Sequence, residues 1–195
     1  KNNNGFTDLN NTLGAIYVVR DPRNVVTSFA HHSGISVDEA ADQLVNLWQY
    51  GGDLNSNQVN HRTKVYLGTW GSNFNSWKSF KSPEKYLLIK YEDLVADKES
   101  TLLKILKFIH KLKKIEFKAD KAKLKNVLDS TSFEKMKNLE KKKGFSESLI
   151  DKKTGKKIPF FNLGAKNSWK NSLNIEIRKK IENSFKKEMI ELGYL

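Results

Sequence analysis

The stretch covering residues 15–34, AIYVVRDPRNVVTSFAHHSG, constrains the fold more than any other part of the chain. It opens with apolar residues rich in β-formers, which are typical of a strand buried on both faces of a parallel sheet. Asp21 then predicts an N-cap, and Pro22 a first helical residue. The helix that follows has Val25, Val26 and Phe29 on its core side. We therefore expect a strand, a tight turn and a helix.

Arg20 lies at the end of this predicted strand, where an α/β sheet presents the N-terminus of the next helix. Unpaired backbone N–H groups and the helix dipole favour a bound anion there. Side chains on a helix lean toward its N-terminus, so the hydroxyl of Ser28 is directed back toward any group that Arg20 holds. Arg20 and Ser28 are thus spaced to grip one phosphate. The alternative is a simple cap with local salt bridges, since Asp21, Pro22 and Arg23 suit that role as well.

The length of 195 residues suits one domain or part of a larger one. Hydrophobic residues make up 38% of the chain and include four Trp and eleven Phe, which is enough to bury a core. No apolar run approaches the roughly 18 residues that suggest a membrane span. Cysteine is absent, which excludes disulfides and fits a reducing compartment. We expect a cytoplasmic protein.

The formal net charge is +13, and its excess is confined to residues 98–195, which hold 26 basic and 12 acidic side chains. Such a surface attracts nucleic acid, anionic lipid or an anionic cofactor. The excess is nevertheless diffuse, and nearly all of it is Lys. Lys-rich and Asn-rich composition also arises from an AT-rich coding sequence without selection for binding. Charge alone therefore leaves the partner open.

Several other segments carry local structural signals. Ser36 and Glu39 form a capping box before a helix. The aromatic residues of the segment 66–80 recur at helical spacing and predict a helix with a core-facing stripe. Residues 140–157 are Lys-rich and interrupted by Gly, and we expect a mobile surface loop there. One final helix is predicted over residues 177–192.

A second apolar run, residues 86–89, predicts another buried strand that leads into Tyr91-Glu92-Asp93. Further along, Thr131 and Glu134 form a capping box by their spacing. A helix start of this kind offers hydroxyl and backbone donors.

Arg20 and Ser28 within YVVRDPRNVVTSF resemble the 3′-phosphate-binding segment of sulfotransferases that use 3′-phosphoadenosine 5′-phosphosulfate (PAPS). The family also has a strand that ends in Tyr-Glu-Asp, and the resemblance implies that Tyr91 lies near the adenine. The Thr-Ser-Phe segment is similar as well. It implies a hydrogen bond from Thr131 to the adenine and a ring contact from Phe133.

The segment 159–170, PFFNLGAKNSWK, resembles the Gly-rich loop of this family that ends in Trp-Lys. The matching positions are Gly164, Trp169 and Lys170. Asn162 and Leu163 depart from the pattern, because many members carry Arg-Lys there and so place two cations at the 3′-phosphate. The resemblance implies that Asn162, Leu163 and Gly164 bind the cofactor through backbone N–H groups, with Lys166 as a source of charge.

The matching segments run from about residue 15 to residue 192. They imply an α/β fold, a P-loop-NTPase-like three-layer domain with a central parallel sheet, of which residues 1–195 supply the C-terminal, helix-rich part. The implied reaction transfers a sulfuryl group from PAPS to a hydroxyl or amine, with 3′,5′-ADP as the product and no metal. We expect a small-molecule, carbohydrate or lipid acceptor, and no nucleic-acid partner. The oligomeric state is left open.

In this family a Gly-rich loop with a Lys, which cradles the 5′-phosphosulfate, and a His general base precede all the matched segments. Neither is found before Arg20. Only two convincing strands are predicted, and a two-stranded parallel sheet leaves its edges and faces poorly covered. We therefore expect the base and the loop Lys upstream of Lys1, no catalytic residue within this chain, and no sulfuryl transfer by the chain alone.

Two other functions stay open at this point. The first is a basic nucleic-acid-binding module, although the Lys excess lacks an Arg-rich groove-reading helix. The second is another P-loop-like nucleotide-binding protein such as a small-molecule kinase, for which ATP with magnesium is the preferred ligand. The acceptor is not defined by the sequence. His31 and His32, just beyond Ser28, face either an acceptor cleft or solvent.

Overall fold

The computed structural model describes residues 11–47, 50–51, 65–79, 82–151 and 154–195. These residues form two compact units. The first unit comprises the chain up to Arg20 together with residues 79–135, and the second comprises residues 21–78 and 136–195. Within the described ranges, no helix combines the length and apolar character needed to cross a membrane. The assignment of residues 1–195 to one domain stays a prediction.

The described residues form short strands and many helices. In chain order the strands are β1 (Ala15–Val19), β2 (Tyr50–Gly51), β3 (Val65–Tyr66), β4 (Tyr86–Lys90), β5 (Leu149–Ile150) and β6 (Lys157–Ile158). The helices are α1 (Pro22–Ser33), α2 (Val37–Val45), α3 (Trp70–Lys78), α4 (Tyr91–Ala96), α5 (Lys98–Leu112), α6 (Lys121–Ser130), α7 (Phe133–Lys143), α8 (Trp169–Ser172), α9 (Ile175–Ser184) and α10 (Lys186–Glu191).

The parallel pair β1 and β4 lies in the first unit, with Val19 opposite Lys90. Both strands predicted from the sequence are confirmed, and each is buried near its C-terminal end, at Val19 and at Ile89. The expectation of burial on both faces is wrong for β1, because Ile16 and Val18 are 39% and 52% exposed whereas Val19 is 2% exposed. β1 therefore buries one face and presents the other to solvent in the part of the chain that is described.

The second unit packs its helices around a core of aliphatic and aromatic side chains. Val26 of α1, Phe74 of α3 and Ile181 of α9 are almost completely buried. The ring of Trp70 stacks on Phe74 at 6.3 Å and packs against Phe185 at 5.3 Å, measured between ring centroids. The helix predicted from the aromatic stripe is thus confirmed over α3. Tyr66 instead belongs to β3, and Phe80 lies outside the described residues.

The ends of α1 and the start of α2 follow their local sequence signals. Asp21 caps α1 by accepting a hydrogen bond from the backbone N–H of Arg23, and Gly34 ends it in the left-handed region at φ 64°. That conformation favours Gly because it has no Cβ. Ser36 and Glu39 form the capping box of α2 with both reciprocal bonds present. The predicted N-cap at Asp21 and the predicted capping box of Ser36 and Glu39 are confirmed.

One helical prediction at the end of the chain needs correction. The single final helix is wrong, because α9 and α10 are separated at Phe185, where φ is −123° and ψ is 21°. Phe185 is 3% exposed, so the chain leaves helical geometry at a residue whose ring is packed in the core.

The loop predicted for residues 140–157 is correct for residues 144–148, which have no regular structure, and wrong on either side of them. α7 continues to Lys143, and β5 and β6 form an antiparallel hairpin with Leu149 opposite Ile158. Glu140 is 5% exposed and accepts hydrogen bonds from the backbone N–H groups of Phe160 and Phe161 at 2.7 and 2.9 Å. These donors lie 20 and 21 residues away from Glu140. A local sequence pattern does not include them, and the segment was therefore predicted to be a loop.

Candidate functional site

The N-terminus of α1 is occupied by Asp21. The Asp21 carboxylate accepts from the backbone N–H of Arg23 at 2.9 Å, and its carbonyl oxygen accepts from those of Asn24 and Val25 at 2.9 and 3.0 Å. These donors therefore serve the protein itself. The expectation that they hold an anion is wrong, and an anion near Arg20 depends on side chains instead.

Arg23 is buried immediately beside this cap, with 6% of its surface exposed. Its guanidinium donates two hydrogen bonds from Nε and one from Nη2 to the Asp21 carboxylate, and one from Nη1 to Glu182 at 2.7 Å. It also donates to the carbonyl oxygen of Tyr194 at 2.8 Å and lies 4.1 Å above the centre of the Trp169 ring. The local salt bridge considered from the sequence is therefore present, but it is one part of a larger buried network.

The position of Arg23 in the helical pattern of α1 also predicts its burial. Arg23, Val26 and Ala30 are spaced three and four residues apart and so share one face of α1. All three are buried. A charged residue at the start of an apolar helical face indicates a buried ion pair, because an unpaired charge is too costly there.

Ser28 lies in α1 and is linked to the loop that precedes α8 through Asn167. Asn167 is 7% exposed, and its Nδ2 donates to Ser28 Oγ at 2.8 Å and to the Asn24 carbonyl oxygen at 3.0 Å. Its Oδ1 accepts from the hydroxyl of Thr27 at 3.0 Å. The backbone N–H of Trp169 completes the link by donating to Asn24 Oδ1 at 2.8 Å. Nothing in the local sequence around Asn167 indicated this role.

The loop itself begins with Asn162 and Leu163, of which Leu163 is 48% exposed. Gly164 follows at φ 56°, a value that favours Gly, and opens a 3₁₀ turn. The N–H groups of Lys166 and Asn167 are used inside this turn, bonding to Leu163 and Gly164 at 3.0 and 3.3 Å. The prediction that this loop offers its backbone donors to a ligand therefore does not extend to those two groups.

A cation reaches the loop from α7. Lys137 Nζ donates to the carbonyl oxygen of Asn162 at 3.0 Å. Lys137 therefore brings positive charge to the loop at Asn162. No local sequence pattern indicates this contact, because 25 residues separate Lys137 from Asn162.

The first unit brings Arg20 and Tyr91 together. The Arg20 guanidinium lies 4.3 Å above the centre of the Tyr91 ring, a distance typical of a cation–π contact. The cause is the parallel register: Val19 lies opposite Lys90, so the next residues of the two strands emerge side by side. Two residues predicted from separate motifs are thus neighbours.

Thr131 and Phe133 also belong to the first unit, where they join α6 to α7. The capping box predicted for Thr131 and Glu134 is wrong, because the Thr131 hydroxyl donates to the carbonyl oxygen of Val127 at 2.7 Å. Thr131 is the C-cap of α6, and α7 begins two residues later at Phe133. Phe133 is half-buried at that helix start.

The second unit contains a cleft of about 1090 Å³ between the end of α1 and the β5–β6 hairpin. Its lining includes His31, Ile35, Val37, Asp151 and Ile158. The His31 imidazole Nε2 lies 2.8 Å from the carbonyl oxygen of Pro159. The sequence did not decide whether His31 and His32 face a cleft or solvent, and the structure shows that His31 faces a cleft.

Ligands of open α/β sheets bind outside the carboxyl ends of the parallel strands, which is where Arg20 and Tyr91 lie. Residues 8–193 match the family model of the sulfotransferase domain, and the chain belongs to this family. It is 28% identical over 185 residues to an amine sulfotransferase of Oryctolagus cuniculus, covering 92% of this chain and 56% of the relative. It is 29% identical over 178 residues to sulfotransferase 2A1 of Rattus norvegicus, covering 89% and 56%. The chain thus spans little more than half the length of these relatives.

Solved structures share the fold. A mouse sulfotransferase complexed with PAP superposes with a TM-score of 0.58 and 21% identity, covering 90% of this chain and 58% of that one. Retinol dehydratase in complex with retinol and PAP gives a TM-score of 0.62 and 19% identity, covering 92% and 49%. The α/β, P-loop-like fold class expected from the sequence is confirmed by these likenesses.

Proposed function

We propose that the protein containing this chain transfers a sulfuryl group from PAPS to a hydroxyl or amine acceptor, and that this chain binds the nucleotide end of the donor. The observation that carries the proposal is the contact between Arg20 and Tyr91 at the ends of parallel strands. Membership of the sulfotransferase family and the PAP complex of a structural neighbour support it.

The 3′-phosphate is assigned to Arg20 and Ser28. Arg20 supplies a positively charged guanidinium, whose planar fork of N–H donors matches phosphate oxygens. Ser28 supplies a neutral hydroxyl donor. Lys137 adds a second cation through its position on the loop at Asn162, which offsets the departure of Asn162 and Leu163 from the family pattern.

The adenine is assigned to Tyr91, Thr131 and Phe133. Phe133 offers a ring face for stacking, and base stacking on an aromatic side chain is tolerant of the rest of the nucleotide. The hydrogen of the Thr131 hydroxyl is given to Val127, so its oxygen accepts from the exocyclic amino group of adenine. Gly164, which opens the 3₁₀ turn after Leu163, is proposed to bind the cofactor with Asn162 and Leu163.

In the proposed reaction the bond between sulfur and the 5′-phosphate oxygen breaks while a bond from sulfur to the acceptor oxygen or nitrogen forms. The acceptor loses one proton, and 3′,5′-ADP leaves. As in phosphoryl transfer, positioning and charge stabilisation supply most of the catalysis. The residues of this chain hold the donor in place, and the group that takes the proton is not assigned to them.

The acceptor is proposed to enter the cleft beside His31. Its volume of about 1090 Å³ is at the upper end of the range for small-molecule sites. Its mixed lining of aliphatic side chains with His31 and Asp151 suits an apolar molecule that carries one polar group. A small-molecule hydroxyl or amine therefore fits better than an extended polymer.

The full-length protein is expected to bind 3′,5′-ADP about ten- to a hundredfold more tightly than 5′-AMP, because charge-assisted hydrogen bonds to the 3′-phosphate strengthen only the first complex. Calorimetry with both nucleotides measures this ratio. Arg20→Ala should abolish most of it.

The matched control is Lys118→Ala, which removes one positive charge from the same unit at an exposed side chain paired with Glu116. It should leave the ratio unchanged. Equal affinity of the unmodified protein for the two nucleotides would overturn the proposal. A full preference retained in Arg20→Ala would overturn the role of Arg20.

Phe133→Ala should weaken 3′,5′-ADP and 5′-AMP alike, since stacking is worth about 1 to 3 kcal/mol per base and ignores the phosphates. The same calorimetry reports both affinities. Phe117→Ala, which removes an aromatic ring packed on His110 at 5.1 Å in the same unit, is the control and should change neither. An effect of Phe133→Ala on 3′,5′-ADP alone would contradict its placement beside the adenine.

A further inference from the structure

A second pocket, of about 280 Å³, lies between α5, α6 and the segment that joins them. All of its lining residues belong to the first unit. Most of them are apolar, and they include Leu102, Leu106, Phe117, Leu124 and Val127. An engineered apolar cavity of about 150 Å³ binds benzene. This pocket is therefore large enough for a molecule with one ring and a short substituent.

The charged side chains at the pocket have partners within the protein. Lys123 Nζ lies 3.5 Å from the carboxylate of Asp120, and Lys118 Nζ lies 3.2 Å from that of Glu116. The Asp120 carboxylate also caps α6 by accepting from the backbone N–H of Lys123 at 3.0 Å. An ionic ligand gains little from side chains whose charges are already matched, so the lining favours a neutral molecule.

His110 is the lining residue whose hydrogen-bonding role is defined. Its Nδ1 lies 3.2 Å from the carbonyl oxygen of Glu116. A carbonyl oxygen can only accept, so Nδ1 carries a hydrogen, and Nε2 of the neutral imidazole is then an acceptor. The ring also packs edge-to-face on Phe117 at 5.1 Å between centroids. These two contacts hold the imidazole in one orientation.

The two nitrogens of an imidazole point in nearly opposite directions. His110 lines the pocket, whereas Glu116, toward which Nδ1 points, does not. We propose that the pocket binds a neutral molecule with one ring and one hydroxyl group, such as a phenol, and that this hydroxyl donates to His110 Nε2. A hydroxyl has the hydrogen that this acceptor requires, whereas an alkyl amine would add a positive charge.

The inference does not depend on the proposed function. None of the residues that line this pocket is assigned above to the nucleotide or to the cleft beside His31. The site would therefore bind its ligand in addition to the donor and the acceptor of the reaction.

The test compares phenol with anisole, its methyl ether, which lacks the hydroxyl hydrogen. Binding is followed in the full-length protein by the NMR shifts of the Leu106, Leu124 and Val127 methyl groups, at about pH 8, which favours neutral imidazole. The ratio of the Kd of anisole to the Kd of phenol should fall about threefold to tenfold in His110→Phe, the range for one neutral hydrogen bond. Because Phe keeps a ring beside Phe117, the Kd of anisole should change little.

A second variant tests the pocket without altering His110. Ala119 lines the pocket and is exposed, so Ala119→Phe fills the space at little risk to the fold. It should abolish the methyl shifts with both probes. Ala122→Phe makes the same change at an exposed position of α6 outside the lining. As the matched control it should leave both Kd values unchanged.

Three results would overturn the inference. The first is the absence of methyl shifts with phenol at a concentration on the order of 10 mM, which saturates a site of millimolar affinity. The second is binding of phenol that persists in Ala119→Phe, and the third is an unchanged ratio in His110→Phe. Saturable shifts that Ala119→Phe abolishes, with a ratio that His110→Phe lowers, support it. The nucleotide affinities are measured separately, so the failure of either proposal is recognised by itself.

Discussion

Arg23→Met is expected to lower the free energy of unfolding by about 3 to 5 kcal/mol, because it leaves two carboxylates with little access to solvent and no buried cation. Asp21 and Glu182 both bond to the guanidinium, at 2.7 Å each, and their side chains are only 8% and 16% exposed. Met fills a similar volume, so the loss reports the charge and hydrogen bonds rather than a cavity. Urea-induced unfolding at neutral pH measures it.

Arg178→Met is the matched control. Arg178 also donates to Glu182, at 3.0 Å, but its side chain is 43% exposed. It lies 5.3 Å from the centre of the same Trp169 ring. Surface pairs of this kind contribute about 0 to 1 kcal/mol. Equal losses in the two variants would contradict the view that burial gives Arg23 its effect.

The difference between Arg23→Met and the unmodified protein should also shrink in acid. Burial opposes ionisation of Glu182, but the hydrogen bonds from Arg23 and Arg178 outweigh it and hold the pKa of Glu182 below its ordinary value. A carboxylate whose pKa is lower in the folded than in the unfolded protein stabilises the fold. This stabilisation is complete at pH values above the unfolded-state pKa, which is near 4.5. It is lost as the pH falls through the folded-state pKa. Unfolding measured across that window should show the two proteins converging.

The parts of the fold that local chemistry controls were predictable. Asp21 and Pro22 start α1 for reasons contained within a few residues: a side-chain acceptor and a fixed φ. The two apolar runs likewise predicted β1 and β4 from a few consecutive residues. Tyr91 and Phe133, which we propose lie beside the adenine, were indicated by the resemblance rather than by periodicity.

The parts that depend on distant partners were not predictable. Arg23 reaches Glu182 across 159 positions, and Asn167 reaches Ser28 across 139. A window of local sequence contains neither partner. The contact between Arg20 and Tyr91 was predictable only in part. Both residues were predicted as site residues, but their proximity depends on the register of the two parallel strands.

Thr131 shows how the spacing of two residues can predict the wrong local structure. Its spacing to Glu134 satisfies a capping box, but α7 begins at Phe133, which places Glu134 one position too early in the helix. The hydroxyl bonds backward to Val127 instead. Spacing alone does not say which of two consecutive helices a boundary residue serves.

Glu140→Gln is expected to destabilise the protein by about 2 to 4 kcal/mol, because hydrogen bonds to a buried charged group are strong and an amide cannot replace all of them. One carboxylate oxygen accepts from the Ser148 hydroxyl and from the Phe160 N–H, and the other accepts from the Phe161 N–H at 2.9 Å. In Gln one of these oxygens becomes an NH₂ group. It then faces a backbone donor, and both donors are left unsatisfied.

The position of Glu140 in α7 predicts that its carboxylate is buried. It follows Met136 by four residues and Phe133 by seven, so the three share one helical face. Met136 and Phe133 are half-buried and Glu140 is 5% exposed. A carboxylate that continues an apolar stripe requires donors from elsewhere, and here they come from residues that follow the β5–β6 hairpin.

The substitution is measured by urea unfolding together with hydrogen exchange at the amides of Phe160 and Phe161, which should exchange faster in Glu140→Gln. The control is Glu134→Gln, the same chemical change at an exposed position of α7. Burial opposes ionisation of Glu140, but the hydrogen bonds from Ser148, Phe161 and Phe160, with the charge of Lys157, hold its pKa below the ordinary value. The stabilisation is therefore complete above the unfolded-state pKa and is lost as the pH falls through the folded-state value, so the variant and the unmodified protein should converge in acid. Unchanged exchange at both amides would show that the carboxylate does not hold this segment.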